Sequence, residues 1–180
     1  LLGAVAPGEA ARAPKLLVVP HAGYVYSGAV AAQAYALLAP WREQIVRVVL
    51  LGPTHRVAVR GLAAPSVSAF DTPLGRVELD TGAIARLTEL PQVTRSDAVH
   101  AQEHSLEVQL PFLQRTLGAF TLLPLAVGDA SAAEVAQVLE SVWGGDETLV
   151  VISTDLSHYL PYAEARARDS ATVERILRLD

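Results

Sequence analysis

The chain has no cysteine, which excludes disulfides and thiolate metal ligands within this span. Charged residues are scarce, 18% against 51% hydrophobic, which excludes a disordered chain and describes a globular one. No run of lysine and arginine is long enough to cradle a phosphate backbone or dock on an anionic bilayer. The net charge of −5 and a pI near 5.5 likewise argue against nucleic acid as a partner. No apolar stretch approaches the roughly 20 residues of a membrane span. A signal-peptide pattern is also missing. The cytoplasm is therefore the expected compartment, and a membrane is not an expected partner. Methionine is absent, the chain begins at Leu1, and a helical pattern reaches Asp180 without a stop signal. These features lead to the expectation of one domain over residues 1–180, incomplete at both ends, with Leu1–Pro14 as an arm or linker. No Walker loop, Gly-x-Gly-x-x-Gly or Gly-x-Ser-x-Gly is present, so nucleotide binding and a nucleophile elbow have no support.

What the chain does have is a set of short aliphatic runs alternating with helical patterns. Lys15–Val19, Ile45–Leu51, Phe120–Val127 and Thr148–Ile152 read as buried strands, with a shorter one at Val57–Pro65. Helices are expected from a Ser27 cap to about Leu38, over Thr81–Leu90, over Gln102–Leu117 with a break at Pro111, and over Tyr162–Leu179. The last is amphipathic, with Ala165, Ala167, Ala171, Ile176 and Leu179 among its less polar positions. Ser131 with Glu134 makes a capping box for a helix to about Trp143. Asp71–Gly75 is a turn leading to an edge or hairpin strand at Arg76–Leu79. The alternation predicts an α/β fold, a three-layer α/β/α sandwich around a largely parallel sheet.

Three of the strands run straight into a histidine: His21 after Pro20, His55 after Gly52-Pro53-Thr54, and His158 after Ser153-Thr154-Asp155-Leu156-Ser157. In a parallel sheet the carboxyl ends of the strands share one edge, where ligands bind. His21, His55 and His158 are therefore expected to converge on one pocket, as a metal or acid–base site requires. Asp155 and His158 at i, i+3 would share a face on a helical turn, so that the carboxylate orients the ring. Asp155 also reads as the N-cap of a short turn. Glu103-His104-Ser105-Leu106-Glu107 is a further cluster, with His104 and Glu107 on one side. His100 and His104 have the spacing of helical zinc ligands, without the glutamate a metalloprotease needs. His100 is expected to be exposed, and Glu107 and Gln109 fit a solvated face.

Taken together, these segments resemble the Memo family. His21-Ala22-Gly23-Tyr24 with Tyr26-Ser27-Gly28 and Ala31-Ala32 is similar to its first motif. Gly52-Pro53-Thr54-His55, followed by Thr72-Pro73-Leu74-Gly75 and Asp80, is similar to its second. Glu103–Glu107 leading into Leu110-Pro111-Phe112-Leu113 resembles the third, and Ser153–Tyr159 with Asp169 the fourth. Prokaryotic members are labelled AmmeMemoRadiSam system protein B. The resemblance implies a fold like that of class III extradiol dioxygenases, and association with an AMMECR-type domain protein and a radical-SAM protein. It implies His21 and His55 as metal ligands for iron, copper or zinc, with His158, Asp155 and His104 as catalytic residues. Tyr24, Tyr159 and Glu107 are the expected substrate contacts. The family's third metal position is usually a cysteine toward the carboxyl end; this chain has no cysteine, so that third ligand is expected either in a segment outside this chain or to be lacking in this member. The implied activity is a metal-dependent oxidoreductase acting on a small molecule. A non-enzymatic adaptor that holds peptides in the same cleft is the alternative, and metal-assisted hydrolysis with Asp155 or Glu107 as base ranks third.

Overall fold

The aliphatic runs become the strands of one central sheet. The computed structural model describes residues 12–178. Their elements in order are β1 (Leu16–Val19), α1 (Tyr24–Ala36), β2 (Arg47–Pro53), β3 (Leu62–Ala64), the hairpin strands β4 (Ala69–Thr72) and β5 (Gly75–Glu78), and α2 (Thr81–Leu87). There follow β6 (Val93–Arg95), α3 (Asp97–His100), α4 (His104–Glu107), α5 (Leu110–Thr116), β7 (Thr121–Val127), α6 (Ala132–Val142), β8 (Thr148–Ser153) and α7 (Tyr162–Arg178). The main sheet has the order β1-β8-β2-β7-β3-β6. Its pairs are parallel except β3 with β7, while β4 and β5 form a separate antiparallel hairpin. With helices packed over it, this largely parallel sheet is the expected α/β/α sandwich.

Val48 to Leu51 in β2 and Leu149 to Val151 in β8 are each at most 2% exposed. Consecutive buried residues mean that both faces of these strands are covered, as parallel sheets require. Pro124 sits within β7 without breaking it. The Leu122 carbonyl accepts from Asp80 N–H, away from β2. Pro124, two residues on, faces the same way, and β3 pairs with β7 only at Ala126 and Val127. The missing N–H of Pro124 thus falls where no ladder bond is needed.

The amino-terminal rim of the sheet is tied to helix ends by two cations. Arg47 Nε donates to Asp80 Oδ2 at 2.8 Å, and its Nη1 donates to the Val142 carbonyl at 2.9 Å. Asp80 also caps α2 through Ala83 N–H. Lys15 Nζ donates to the carbonyls of Trp143, Gly145 and Thr148 at 2.6, 2.8 and 2.9 Å, beyond the end of α6. Cations at helix carboxyl ends also complement the macrodipole.

Several local expectations shift. Helix α1 begins at Tyr24, not after Ser27. Gly23 is its N-cap, its carbonyl accepting from Tyr26 and Ser27 N–H, and Ser27 Oγ donates back to the Ala22 carbonyl at 2.8 Å. Only Leu62–Ala64 of the expected Val57–Pro65 strand pairs as one, and α2 stops at Leu87. The Gln102–Leu117 segment divides into α4 and α5, with Pro111 in the first turn of α5, where its lacking N–H costs nothing. Strand β6 and helix α3 had no clear sequence pattern. The capping box at Ser131 and Glu134 is present. Helix α7 forms as expected but buries none of its residues; Leu179 and most of the expected arm lie outside the described residues.

Two tests follow from these contacts. Arg47→Ala removes charge-assisted bonds at two helix termini and is expected to cost about 2 kcal/mol, measured by urea unfolding. Glu134 also accepts from Arg60 at 2.7 Å. The Arg60 side-chain bond, with those from Ser131, lowers its carboxyl from 4.5 to about 2. A depressed carboxyl stabilises the fold above its unfolded value and loses that effect as pH falls toward its folded one. The melting-temperature advantage of the wild type over Glu134→Gln should therefore be full above pH 4.5 and vanish as pH approaches about 2.

Candidate metal centre

Strands β1, β8 and β2 are adjacent and parallel, so their carboxyl ends share one rim. His21 lies two residues past β1, Asp155 two past β8 and His55 two past β2. The register sets Val19 beside Ser153, which puts His21 Nδ1 3.0 Å from Ser153 Oγ. Helix α4 supplies a third imidazole. Gly52 makes its approach possible, since a Cβ there would meet Ser105 Oγ at 2.8 Å and Leu106 at 3.0 Å. Ser105 Oγ donates to the Pro53 carbonyl at 2.8 Å and pins α4 to the end of β2.

The result is a group of three histidines. One ring nitrogen each of His21, His55 and His104 lies within 4.8 Å of the others. Ring centroids are 5.2 Å apart for His21 and His55, 5.7 Å for His21 and His104, and 4.7 Å for His55 and His104. His21 is buried, while the side chains of His55 and His104 are 34% and 46% exposed, so the group opens to solvent on one side.

Hydrogen bonds fix which nitrogen of His21 is bare. The Pro20 carbonyl can only accept, so the Gln109 atom 2.9 Å from it is the amide nitrogen. That nitrogen also donates to Ser153 Oγ at 2.9 Å, and Tyr35 Oη donates to Gln109 Oε1 at 3.0 Å. Burial raises the Tyr35 phenol well above its ordinary value, so it stays a donor. Ser153 Oγ gives its one proton to the Ser105 carbonyl at 2.6 Å, another obligate acceptor. His21 Nδ1 must then be the donor to Ser153, and Nε2 carries the lone pair. Nε2 is buried and has no hydrogen-bond partner among the described residues. Burial lowers the pKa of this ring, against the opposing pull of Asp155. A neutral imidazole with an orphaned buried nitrogen, its ring beside two other imidazoles, fits a metal ion.

Glu103 does the same for His55. This buried carboxylate accepts from His55 Nδ1 at 2.8 Å, from the His55 backbone N–H, and from Ser105 N–H at 2.9 Å as the cap of α4. Burial pushes its carboxyl up, but the bonds from the His55 ring and the two backbone N–H groups prevail and hold it at about 2. An ionised acceptor on Nδ1 keeps the His55 proton there and leaves Nε2 free. His104 Nδ1 stands 3.5 Å from the same carboxylate. Asp155 Oδ1 accepts from the backbone N–H of His21 and Ala22 at 2.6 and 3.0 Å, and its Oδ2 is 3.6 Å from His21 Nε2.

The expected convergence is thus corrected in one member. His21 and His55 meet, but the third imidazole is His104, and it lies within this chain. His158 is exposed, with Nδ1 3.0 Å from the Leu156 carbonyl and its ring beside Tyr159. Residues 154–161 form no helix, and Leu156 and Tyr159 adopt positive φ, so the i, i+3 pairing of Asp155 with His158 does not arise. Tyr159 is fully exposed. Tyr24 Oη is taken by the Val108 carbonyl at 3.0 Å. Glu107 is exposed beside a cavity that also touches Glu103. His100 bonds the Ala63 carbonyl at 3.0 Å and belongs to a different helix from His104. Gln109, expected on a solvated face, is fully buried. Glu103, Gln109 and Ser153 as supports of the imidazoles escaped sequence reasoning. The one signal for Glu103 was an acid two residues before Ser105 at a helix start, the position of a cap.

The chain is 39% identical over 171 residues to a MEMO1 family protein of Aquifex aeolicus, covering 93% of this chain and 62% of that protein. It is 39% identical over 171 residues to one of Methanopyrus kandleri, covering 91% and 60%. Over 170 residues it is 39% identical to one of Archaeoglobus fulgidus, covering 91% and 62%. The chain therefore spans about three fifths of the length of these curated relatives. The family described as Memo-like protein matches residues 2–180, and the chain, with the motif histidines His21, His55 and His104 gathered at one rim, belongs to it.

Proposed function

We propose that the chain holds a divalent first-row metal between His21, His55 and His104 and that the centre serves an oxidoreductase of the dioxygenase-like kind. The observation that carries this is the bare, buried Nε2 of His21, whose protonation state the surrounding bonds dictate. Three imidazole ligands suit iron(II), copper or zinc. A bound iron or copper would supply redox chemistry and open positions for substrate on the exposed side. The chain's own groups have separate tasks. Glu103 and Ser153 hold two rings in the ligand tautomer. Asp155 fixes the backbone at His21 and Ala22, with Oδ2 3.6 Å from His21 Nε2. No described helix is long and apolar enough to cross a membrane.

Anaerobic titration with iron(II), and with cobalt(II) as a spectroscopic reporter, tests the reading. One equivalent should bind. His21→Ala/His55→Ala should abolish binding, and His158→Ala should retain it. Equally weak binding by wild type and the double variant would sink the metal reading. Glu103→Gln should weaken affinity about 10–100-fold, the scale of a lost ligand-orienting bond.

Ser153→Ala and Gln109→Leu address the tautomer. In ¹⁵N-histidine-labelled protein without metal, His21 should show a protonated Nδ1 and a bare Nε2. Either variant should move it toward a tautomer mixture, while His55 stays unchanged because Glu103 governs it separately.

A further inference from the structure

We propose that the cavity between the β4–β5 hairpin and helices α3 to α5 binds a small organic cation, an ammonium or guanidinium group on an apolar arm. The cavity holds about 390 Å³, within the range of small-molecule sites. Phe70, Leu106 and Leu110 form its apolar wall, and the two leucines are buried.

The polar lining is a set of acceptors. Asp71 of β4, Asp97 of α3, and Glu103 and Glu107 at α4 bring carboxylates from three separate elements, and among the described residues no lysine or arginine lines the cavity. Arg76, opposite Asp71 in the hairpin register, is paired with Glu78 at 2.7 Å. Asp97 accepts from Ser66 N–H at 2.7 Å and from the Ser66 hydroxyl, which keeps it ionised. Thr72 directs its hydroxyl within the chain, with Gln114 Oε1 at 2.8 Å and the Gly75 carbonyl at 2.9 Å. His100 Nε2 faces the Ala63 carbonyl at 3.0 Å, which can only accept, so the proton is on Nε2 and Nδ1 is a further acceptor.

A ligand entering this space must therefore bring donors and positive charge. An anion would meet four carboxylates with no lysine or arginine among the described lining groups. Phe70 adds an aromatic ring to the lining, suited to an apolar arm and to a cation. The cavity shares Glu103 with the histidine group, so its ligand would lie one side chain from the proposed metal. The inference does not rest on that metal, because the cation is recognised by groups outside the three histidines.

Phenethylamine and agmatine are the probes, with 2-phenylethanol and 3-phenylpropionate as neutral and anionic counterparts of the first. Calorimetry and ¹H–¹⁵N shifts of residues 70, 100 and 106 provide the readout. At least one cation should bind saturably, phenethylamine at least ~10-fold more tightly than the alcohol, and the propionate should not bind. Asp71→Asn/Glu107→Gln should lower cation affinity ~10-fold and close the gap to the alcohol, with circular dichroism unchanged. His21→Ala/His55→Ala should leave cation binding intact, so failure of the metal centre and failure of this site are distinguishable. The proposal falls if the propionate binds as well as the amine. It also falls if neither cation shifts these residues in folded wild-type protein at roughly 10 mM, a concentration that detects even weak fragment binding.

Discussion

A buried carboxylate that stays ionised is the constraint on which this architecture turns. Glu103 is 3% exposed, and a charge in that position is costly unless it is fully hydrogen-bonded. Its partners come from two places in the chain: the ring and backbone of His55 past β2, and the backbone of Ser105 in α4. The same requirement therefore starts a helix, joins it to a strand end and sets the tautomer of a ring. Removing any one donor would leave the charge under-satisfied. The Gly52 approach and the Ser105 bond to Pro53 set the distance at which this can happen.

His21 is held by a different logic, without a formal charge in contact with Nδ1. Two backbone carbonyls that can only accept, those of Pro20 and Ser105, propagate their demand through Gln109 and Ser153 to the ring. Each amide or hydroxyl along the way has one orientation that satisfies all its neighbours. A buried network that is fully satisfied specifies a unique arrangement, and here its open end is Nε2 of a ring that lies beside the other two imidazoles.

Much of this was legible in the sequence, and the exceptions have a common cause. The aliphatic runs of β2, β7 and β8 and the capping box of α6 are local signals, and all four elements form. The placement of His21 and His55 followed from parallel strand ends. His104 could not be placed in the same way, because its position depends on a glycine contact between β2 and α4, a long-range event with no local pattern. Gln109 looked like a solvated residue since polarity in a helix usually faces water; its burial follows from tertiary acceptors that periodicity does not report. His158 is exposed instead: Asp155 serves the backbone of His21 and Ala22, the residues after it form no helix, and Leu156 and Tyr159 take left-handed φ, none of which has a local sequence signal.

The two rims of the sheet are built from different materials. Lys15 and Arg47 at the strand beginnings address helix-end carbonyls and a capping aspartate, and none of those partners contacts the histidines. Mutational tolerance should divide accordingly along the strand axis. A laboratory evolution campaign can adjust thermal robustness at one pole while leaving the chemistry of the other untouched, since substitutions so far apart combine nearly independently.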